Sequence, residues 1–203
     1  DYDSAGLIQT LENTLGTVTS FDYNNEGNVT DIAAGTGADL RQIELDYTDE
    51  GYVQTITDPL NREHRFVYDD FGRITKETLP GGRTVEYSYD QAGNLLGIVT
   101  PNDDIHELTY RPDGLPETYI APAVTNGGTN TTSYAYNTAQ ELTQITRPDG
   151  QIISFAYDIA GRPDTVTIPR NNAPVTLDVV YDSAGRLTGV TACVCNLTAL
   201  SDD

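Results

Sequence analysis

A tyrosine followed four residues later by glycine recurs along the whole 203-residue chain. Nine tyrosines mark this register, at spacings of 21, 24, 21, 21, 21, 26, 21 and 24 residues. A period of this size is typical of tandem repeats that pack against their neighbours. We predict nine repeats over residues 1–192 and a C-terminal strand or tail over 193–203. The motif residues are Tyr2 and Gly6, Tyr23 and Gly27, Tyr47 and Gly51, Tyr68 and Gly72, Tyr89 and Gly93, Tyr110 and Gly114, Tyr136 (with Gln140 in place of glycine), Tyr157 and Gly161, and Tyr181 and Gly185.

The residues that precede the register tyrosines alternate between apolar and polar. The position two before the tyrosine is apolar or aromatic in each repeat that has one, from Phe21 to Val179. The position three before it is always polar, as in Glu44 and Arg65. Alternation with a period of two predicts a strand with one packed face and one solvated face.

The residues that follow the tyrosine predict a tight turn and a second strand. Asp, Asn or Thr usually comes first and can cap the turn, and the glycine can take a positive φ. Apolar residues then stand two places and usually five places after the glycine, as Val29 and Ile32 do after Gly27. An offset of three breaks simple alternation, so we expect either a β-bulge or a partly covered second face.

A second class of turn, rich in proline, ends each hairpin, as in "TDPLN" at 57–61 and "RPDG" at 147–150. Proline cannot donate to a β-ladder and therefore marks strand ends. We predict an all-β fold of tandem antiparallel β-hairpins, about eighteen strands without a helix. Because twisted sheets of this many strands rarely stay open, we expect a long coiled or spiral sheet, shell- or tube-like.

The charge of the chain excludes two classes of partner. Its formal net charge is −20, with 31 acidic and 11 basic residues spread along the sequence. Such a surface repels nucleic acid and anionic membranes. The sequence also contains no run of 18 apolar residues, so we predict neither nucleic-acid binding nor membrane insertion.

The tandem Tyr-Asp-x-x-Gly units resemble the YD repeats of the RHS family, which also occur in teneurins and in toxin-complex shells. The best matches are "YDDFGRIT" at 68–75, "YDQAGNLLGIV" at 89–99, "YDIAGRP" at 157–163 and "YDSAGRLTGVT" at 181–191. The resemblance implies a spiral β-sheet that forms a shell or tube, on or outside cells or around a cargo. It also implies carbohydrate binding for some members. Nothing after Thr191 resembles the boundary that precedes an enclosed toxin in this family.

We therefore expect a non-catalytic structural protein that forms part of an extracellular or cell-surface wall. One alternative is a glycan-binding or adhesion module, with Tyr52 and Tyr119 as candidates for stacking on sugars because they lie outside the register. Another is a fragment of a larger RHS-type toxin-encapsulating shell. The sheet edges at the two ends lead us to expect self-association through the terminal strands, giving a filament or tube.

No combination of residues predicts catalysis, a cofactor site or a metal site. His64 and His106 occupy equivalent positions two repeats apart, about 20 Å along the sheet, and cannot share one metal ion or substrate. Carboxylate pairs such as Asp69 and Asp70 are abundant in so acidic a chain and accompany no nucleophile or base. We expect both histidines to pack at the edge of the apolar face.

Two kinds of modification remain open from the sequence. Asn28, Asn130 and Asn196 lie in Asn-x-Thr sequons and are candidate glycosylation sites. Cys193 and Cys195 would point to the same face of a strand, which is awkward for a disulfide between them. We expect free or buried thiols, or one bond to a neighbouring subunit.

Overall fold

The computed structural model describes residues 1–122, 130–170 and 173–194. This part of the chain forms seventeen strands and one 3-10 turn, Gly37–Asp39. The strands are β1 (Thr10–Glu12), β2 (Val18–Tyr23), β3 (Val29–Ala34), β4 (Arg41–Tyr47), β5 (Val53–Thr57), β6 (Glu63–Tyr68), β7 (Ile74–Thr78), β8 (Thr84–Tyr89), β9 (Leu95–Val99), β10 (Ile105–Tyr110), β11 (Pro116–Ile120), β12 (Thr131–Tyr136), β13 (Leu142–Thr146), β14 (Ile152–Tyr157), β15 (Pro163–Ile168), β16 (Val175–Tyr181) and β17 (Leu187–Val194).

The chain divides into two compact units, and each is an antiparallel meander. The first comprises residues 1–88 and 98–103, and the second comprises residues 89–97 and 104–203. In the first unit each strand from β1 to β8 pairs with the next one in sequence. In the second unit the strands from β10 to β17 do the same. The predicted all-β fold of tandem hairpins is confirmed.

A β-bulge sits at the same place in the hairpins and explains the offset of three. In the second hairpin Asp22 lies opposite Asp31 but Tyr23 lies opposite Val29, so Thr30 has no opposite residue. One extra residue of this kind shifts the alternation by one position. The unmatched residues, each three places after the turn glycine or Gln140, are Thr30, Gln54, Thr75, Glu117, Thr143, Asp164 and Thr188.

The two predicted classes of turn differ in sequence but share one backbone geometry. In the turn after Tyr68, the Asp69 N–H donates to the carbonyl four residues on (3.0 Å), and the Gly72 N–H donates back to Asp69 O (3.0 Å). In the proline turn, Leu79 N–H and Gly82 N–H make the same two bonds, at 2.8 and 2.9 Å. Proline is compatible with the second position of this turn because its ring fixes φ near the value that this position requires.

The sheet has one packed face, but its side chains are only half-buried. In β6 and β14 the exposure alternates residue by residue, with Phe66 and Phe155 on the packed face. Among the described residues, Val175 is the only buried hydrophobic side chain, at 8% exposure. The fold therefore depends on ladder hydrogen bonds and neighbour contacts more than on a deep core.

The described C-terminus extends the last hairpin. β17 continues through Val194, with Cys193 opposite Thr176, so the predicted boundary at residue 193 falls inside this strand. Residues 195–203, and with them Cys195 and Asn196, lie outside the described residues. No helix in the described part of the chain is long and apolar enough to cross a membrane.

Candidate functional site

The residue after the register tyrosine closes the turn with its side chain, except after Tyr110, where Arg111 takes this place and donates to Asp113 Oδ2 instead. Asp69 Oδ1 accepts the backbone N–H of Phe71 at 2.9 Å and that of Arg73 at 3.0 Å. Asp69 Oδ2 accepts the Arg73 guanidinium, with Nε at 2.7 Å. Asp158 and Asp182 hold Arg162 and Arg186 in the same way. The Asp and Arg of the motif are therefore partners within one turn.

These contacts also alter the acidity of the turn carboxylates. The side-chain hydrogen bond from Arg73 lowers the pKa of Asp69 from its ordinary value, and that from Arg162 lowers the pKa of Asp158. The pKa of Asp182 is lowered first by the Arg186 backbone N–H and then by its side chain. Hydrogen bonds to an ionised carboxylate favour the charged form, so each turn is held most firmly when its aspartate is charged.

The glycines of the motif take the backbone through the left-handed region. All eight have a positive φ, from +74° at Gly161 to +94° at Gly93. Gln140, in the one repeat without glycine, adopts the same conformation with φ +63°. An L-residue pays a steric cost there, so the seventh turn keeps the common geometry at the expense of local strain.

Several register tyrosines join their hairpin to the preceding one through the side-chain hydroxyl group. Tyr68 Oη donates to Val53 O at 2.7 Å, and Tyr157 Oη donates to Leu142 O at 2.9 Å. Tyr23 and Tyr47 make the equivalent bonds to Ile8 O and Val29 O, both at 2.7 Å. In each case the acceptor stands two places after the turn glycine, or after Gln140, of the preceding hairpin. We call this contact the tyrosine clasp.

In two repeats the residue directly after the glycine contacts the register tyrosine of the next hairpin. Arg162 lies over the ring of Tyr181, with 4.3 Å between the guanidinium carbon and the ring centroid, a cation–π contact. In the third repeat Tyr52 takes this place and stacks on Tyr68, with centroids 5.0 Å apart. Its ring lies so close to Gly72 that a Cβ on Gly72 would stand 2.6 Å from Tyr52 Cζ. The glycine thus provides space as well as conformation.

The two histidines lie on the packed face, each with a polar partner in its own hairpin. His64 Nε2 is 3.2 Å from Glu77 Oε2, and its ring is 4.3 Å from that of Phe66. His106 Nδ1 is 2.6 Å from Tyr119 Oη. Sequence reasoning missed both partners. Glu77 and Tyr119 stand five places after the turn glycine, where the other repeats carry Leu, Ile or Val, so the signal was present.

The residues considered for binding and modification are already engaged where the structure describes them. Tyr52 stacks on Tyr68 and Tyr119 bonds His106, so each ring has part of its surface covered. Asn28 Nδ2 is 3.4 Å from Glu26 Oε2, and Asn130 Nδ2 donates to Pro122 O at 3.1 Å. Glycan binding and glycosylation at Asn28 and Asn130 stay predictions. Cys193 lies exposed on β17.

Many of the motif side chains make contacts within one hairpin or between neighbouring hairpins, such as Asp158 with Arg162 and Tyr157 with Leu142 O. Among the residues that the structure describes, no three His, Cys, Asp or Glu side chains are grouped to hold a metal ion. The open groove beside Tyr52, about 430 Å³ in volume, is lined by acidic and aromatic side chains that include Asp69 and Phe66.

Comparison with known proteins is consistent with this arrangement. The family model described as teneurin YD-shell matches residues 1–115 and 123–194. The chain is 27% identical to the tRNA nuclease WapA of Bacillus subtilis over 94 residues, 46% of this chain and 4% of that protein. It is 27% identical to the probable deoxyribonuclease RhsB of Dickeya dadantii over 113 residues, 56% of this chain and 8% of that protein.

Solved structures share the fold over most of the chain. TcdB2-TccC3 without its hypervariable C-terminal region superposes with a TM-score of 0.74 at 17% identity, over 93% of this chain and 12% of that one. The Tc holotoxin pore of Photorhabdus luminescens gives a TM-score of 0.69 at 17% identity, over 87% and 11%. The chain thus spans a small fraction of each relative, and at this identity the structures show the fold alone.

Proposed function

Because this chain belongs to the teneurin YD-shell family, we propose that it is a non-catalytic segment of a β-sheet wall at the cell surface or outside the cell. The tyrosine clasp carries the proposal. It uses the residues that define the motif to join one hairpin to the next, as Tyr47, Tyr68 and Tyr157 do. A motif engaged in this way serves to extend a sheet.

The wall we propose is part of a larger structure. The match to TcdB2-TccC3 without its hypervariable C-terminal region covers 93% of this chain but 12% of that one, which supports a segment of an RHS-type shell. Electron cryomicroscopy of the native particle tests this directly. We expect the hairpins of this chain to appear as one stretch of a continuous single-layer sheet. A chain that packs as a separate domain against such a sheet would contradict the proposal.

The absence of catalysis requires its own test because two relatives are named as nucleases. The aligned segments are 4% and 8% of those proteins, and the net charge of −20 opposes binding of nucleic acid. We expect the purified chain to leave tRNA and duplex DNA intact in the presence of Mg²⁺. Cleavage that is lost in a His64→Val or His106→Val variant would refute the proposed role.

Self-association through the terminal strands remains part of the proposal. In the described residues β17 pairs with β16 along one of its two edges. Unpaired edges attract further strands. Sedimentation velocity over a wide concentration range tests the idea. We expect the mean mass to rise with concentration, and a constant monomer mass would contradict it.

A further inference from the structure

The packed face carries a polar cluster of three side chains on three neighbouring strands. Glu77 on β7 lies between His64 on β6 and Tyr87 on β8. Its Oε2 is 3.2 Å from His64 Nε2, and its Oε1 accepts the Tyr87 hydroxyl at 2.9 Å. We call these three residues the β6–β8 cluster. Both oxygens of one carboxylate are engaged, and the side chains of Glu77 and His64 are only 20% and 29% exposed.

The cluster breaks the repeat pattern at two positions together. Four places before the register tyrosine, the repeats without histidine carry apolar residues or threonine, such as Val85 in the next repeat. Five places after the glycine, the repeats on either side carry Ile56 and Ile98. His64 and Glu77 replace both kinds of residue within one hairpin. Either residue without the other would leave a half-buried polar group with one hydrogen-bond partner fewer.

A polar pair of this kind contributes little to stability compared with well-packed apolar residues. Replacing such a pair by hydrophobic side chains is often neutral or stabilising, whereas removing one partner is costly. The best-attested use of a buried polar group is to select one register over others. Repeats with nearly the same packed face need such selection, since the apolar residues of one hairpin fit those of many others.

We propose that the β6–β8 cluster is a register lock. It favours the pairing of β6, β7 and β8 with one another over their pairing with the apolar strands of other hairpins. If β6 or β8 pairs with a wrong strand, the Glu77 carboxylate loses a hydrogen-bond donor and is left against apolar side chains. That penalty falls only on incorrect pairings. The inference rests on the strand pairing of the described chain and not on the proposed wall function.

The test compares fidelity of refolding with stability. The double variant His64→Val and Glu77→Ile installs the residues of neighbouring repeats, and Lys76→Thr with Glu86→Thr is the matched control. Lys76 and Glu86 form an exposed ion pair at 2.7 Å between β7 and β8, on the other face of the sheet. Each protein is unfolded in urea and refolded at several concentrations. Size-exclusion chromatography then gives the oligomeric fraction, and urea titration of the monomer gives the midpoint.

We expect the His64→Val, Glu77→Ile monomer to unfold at about the same urea concentration as the parent chain, because the gain from two apolar side chains offsets the acceptor that the Tyr87 hydroxyl loses. Its oligomeric fraction after refolding should rise by about twofold or more, while the Lys76→Thr, Glu86→Thr control matches the parent. Glu77→Ile alone should lower the midpoint. Unchanged fidelity in the double variant would overturn the proposal, as would an equal loss of fidelity in the control. A double variant that is simply less stable would reassign the cluster to stability. None of these outcomes bears on catalysis or on the wall, whose tests are separate.

Discussion

Gly72→Ala tests whether the turn glycine is needed for space as well as for backbone conformation. At φ +75° an alanine costs about 1–2 kcal/mol relative to glycine. Its Cβ would also stand 2.6 Å from Tyr52 Cζ, so the Tyr52 ring has to move off Tyr68. Losing that stacked contact, whose centroids are 5.0 Å apart, costs about 0.5–1.5 kcal/mol more. We expect a total of about 1.5–3.5 kcal/mol.

Gly51→Ala is the matched control, because Gly51 is the motif glycine of the preceding repeat and belongs to the same unit. Its φ is +86°, but the nearest atom to an added Cβ is Asn28 Nδ2 at 4.0 Å. We expect only the conformational cost of about 1–2 kcal/mol.

Urea unfolding followed by circular dichroism gives the total, and amide hydrogen exchange locates the loss, because repeats need not unfold together. In a Tyr52→Ala background, Gly72→Ala should cost no more than Gly51→Ala does. Equal costs in the parent chain, with no coupling between Tyr52 and Gly72, would refute the spatial role of the glycine.

Three further outcomes are expected. Gln140→Gly should raise the free energy of unfolding by about 0.5–1 kcal/mol, because it relieves the strain at φ +63°; no gain in urea titration would contradict this. Tyr157→Phe should cost about 1 kcal/mol by removing the bond to Leu142 O, whereas Tyr181→Phe, whose ring lies under Arg162, should cost less. Because the folded-state pKa of Asp69 and that of Asp158 are lowered, their contribution is complete above about pH 4 and falls as pH drops through the folded values. Urea midpoints measured from pH 7 to pH 3 should therefore decline below about pH 4, and Asp158→Asn should reduce that decline.

The local structure was predictable from the sequence because its determinants are close together in the chain. The alternation of apolar and polar residues before the tyrosine predicted the positions of the strands. The offset of three after the glycine predicted a β-bulge, and the structure shows one at Thr75, which lies opposite no residue of β6. Such signals act within about ten residues of one another. The seventeen strands agree with the predicted meander for the same reason.

The tyrosine clasp was not predictable because its acceptor is a backbone carbonyl, which any residue provides. The hydroxyl of Tyr68 donates to the carbonyl of Val53, 15 residues earlier in the chain, and the side chain of Val53 gives no indication of this bond. The sequence also suggested two kinds of turn. Proline distinguishes their sequences, but the backbone geometry of the two is the same. The partner of His64 was recoverable, because Glu77 interrupts an otherwise apolar series.

The half-buried packed face has a thermodynamic consequence. Of the described residues, Val175 alone is a buried hydrophobic side chain, so unfolding exposes little new apolar surface for each residue. The heat capacity of unfolding depends on that surface and is about 12–15 cal/mol/K per residue in compact globular proteins. For this chain it should lie below that range. Its stability would then vary gently with temperature, and cold would weaken it less than it weakens a protein with a deep core.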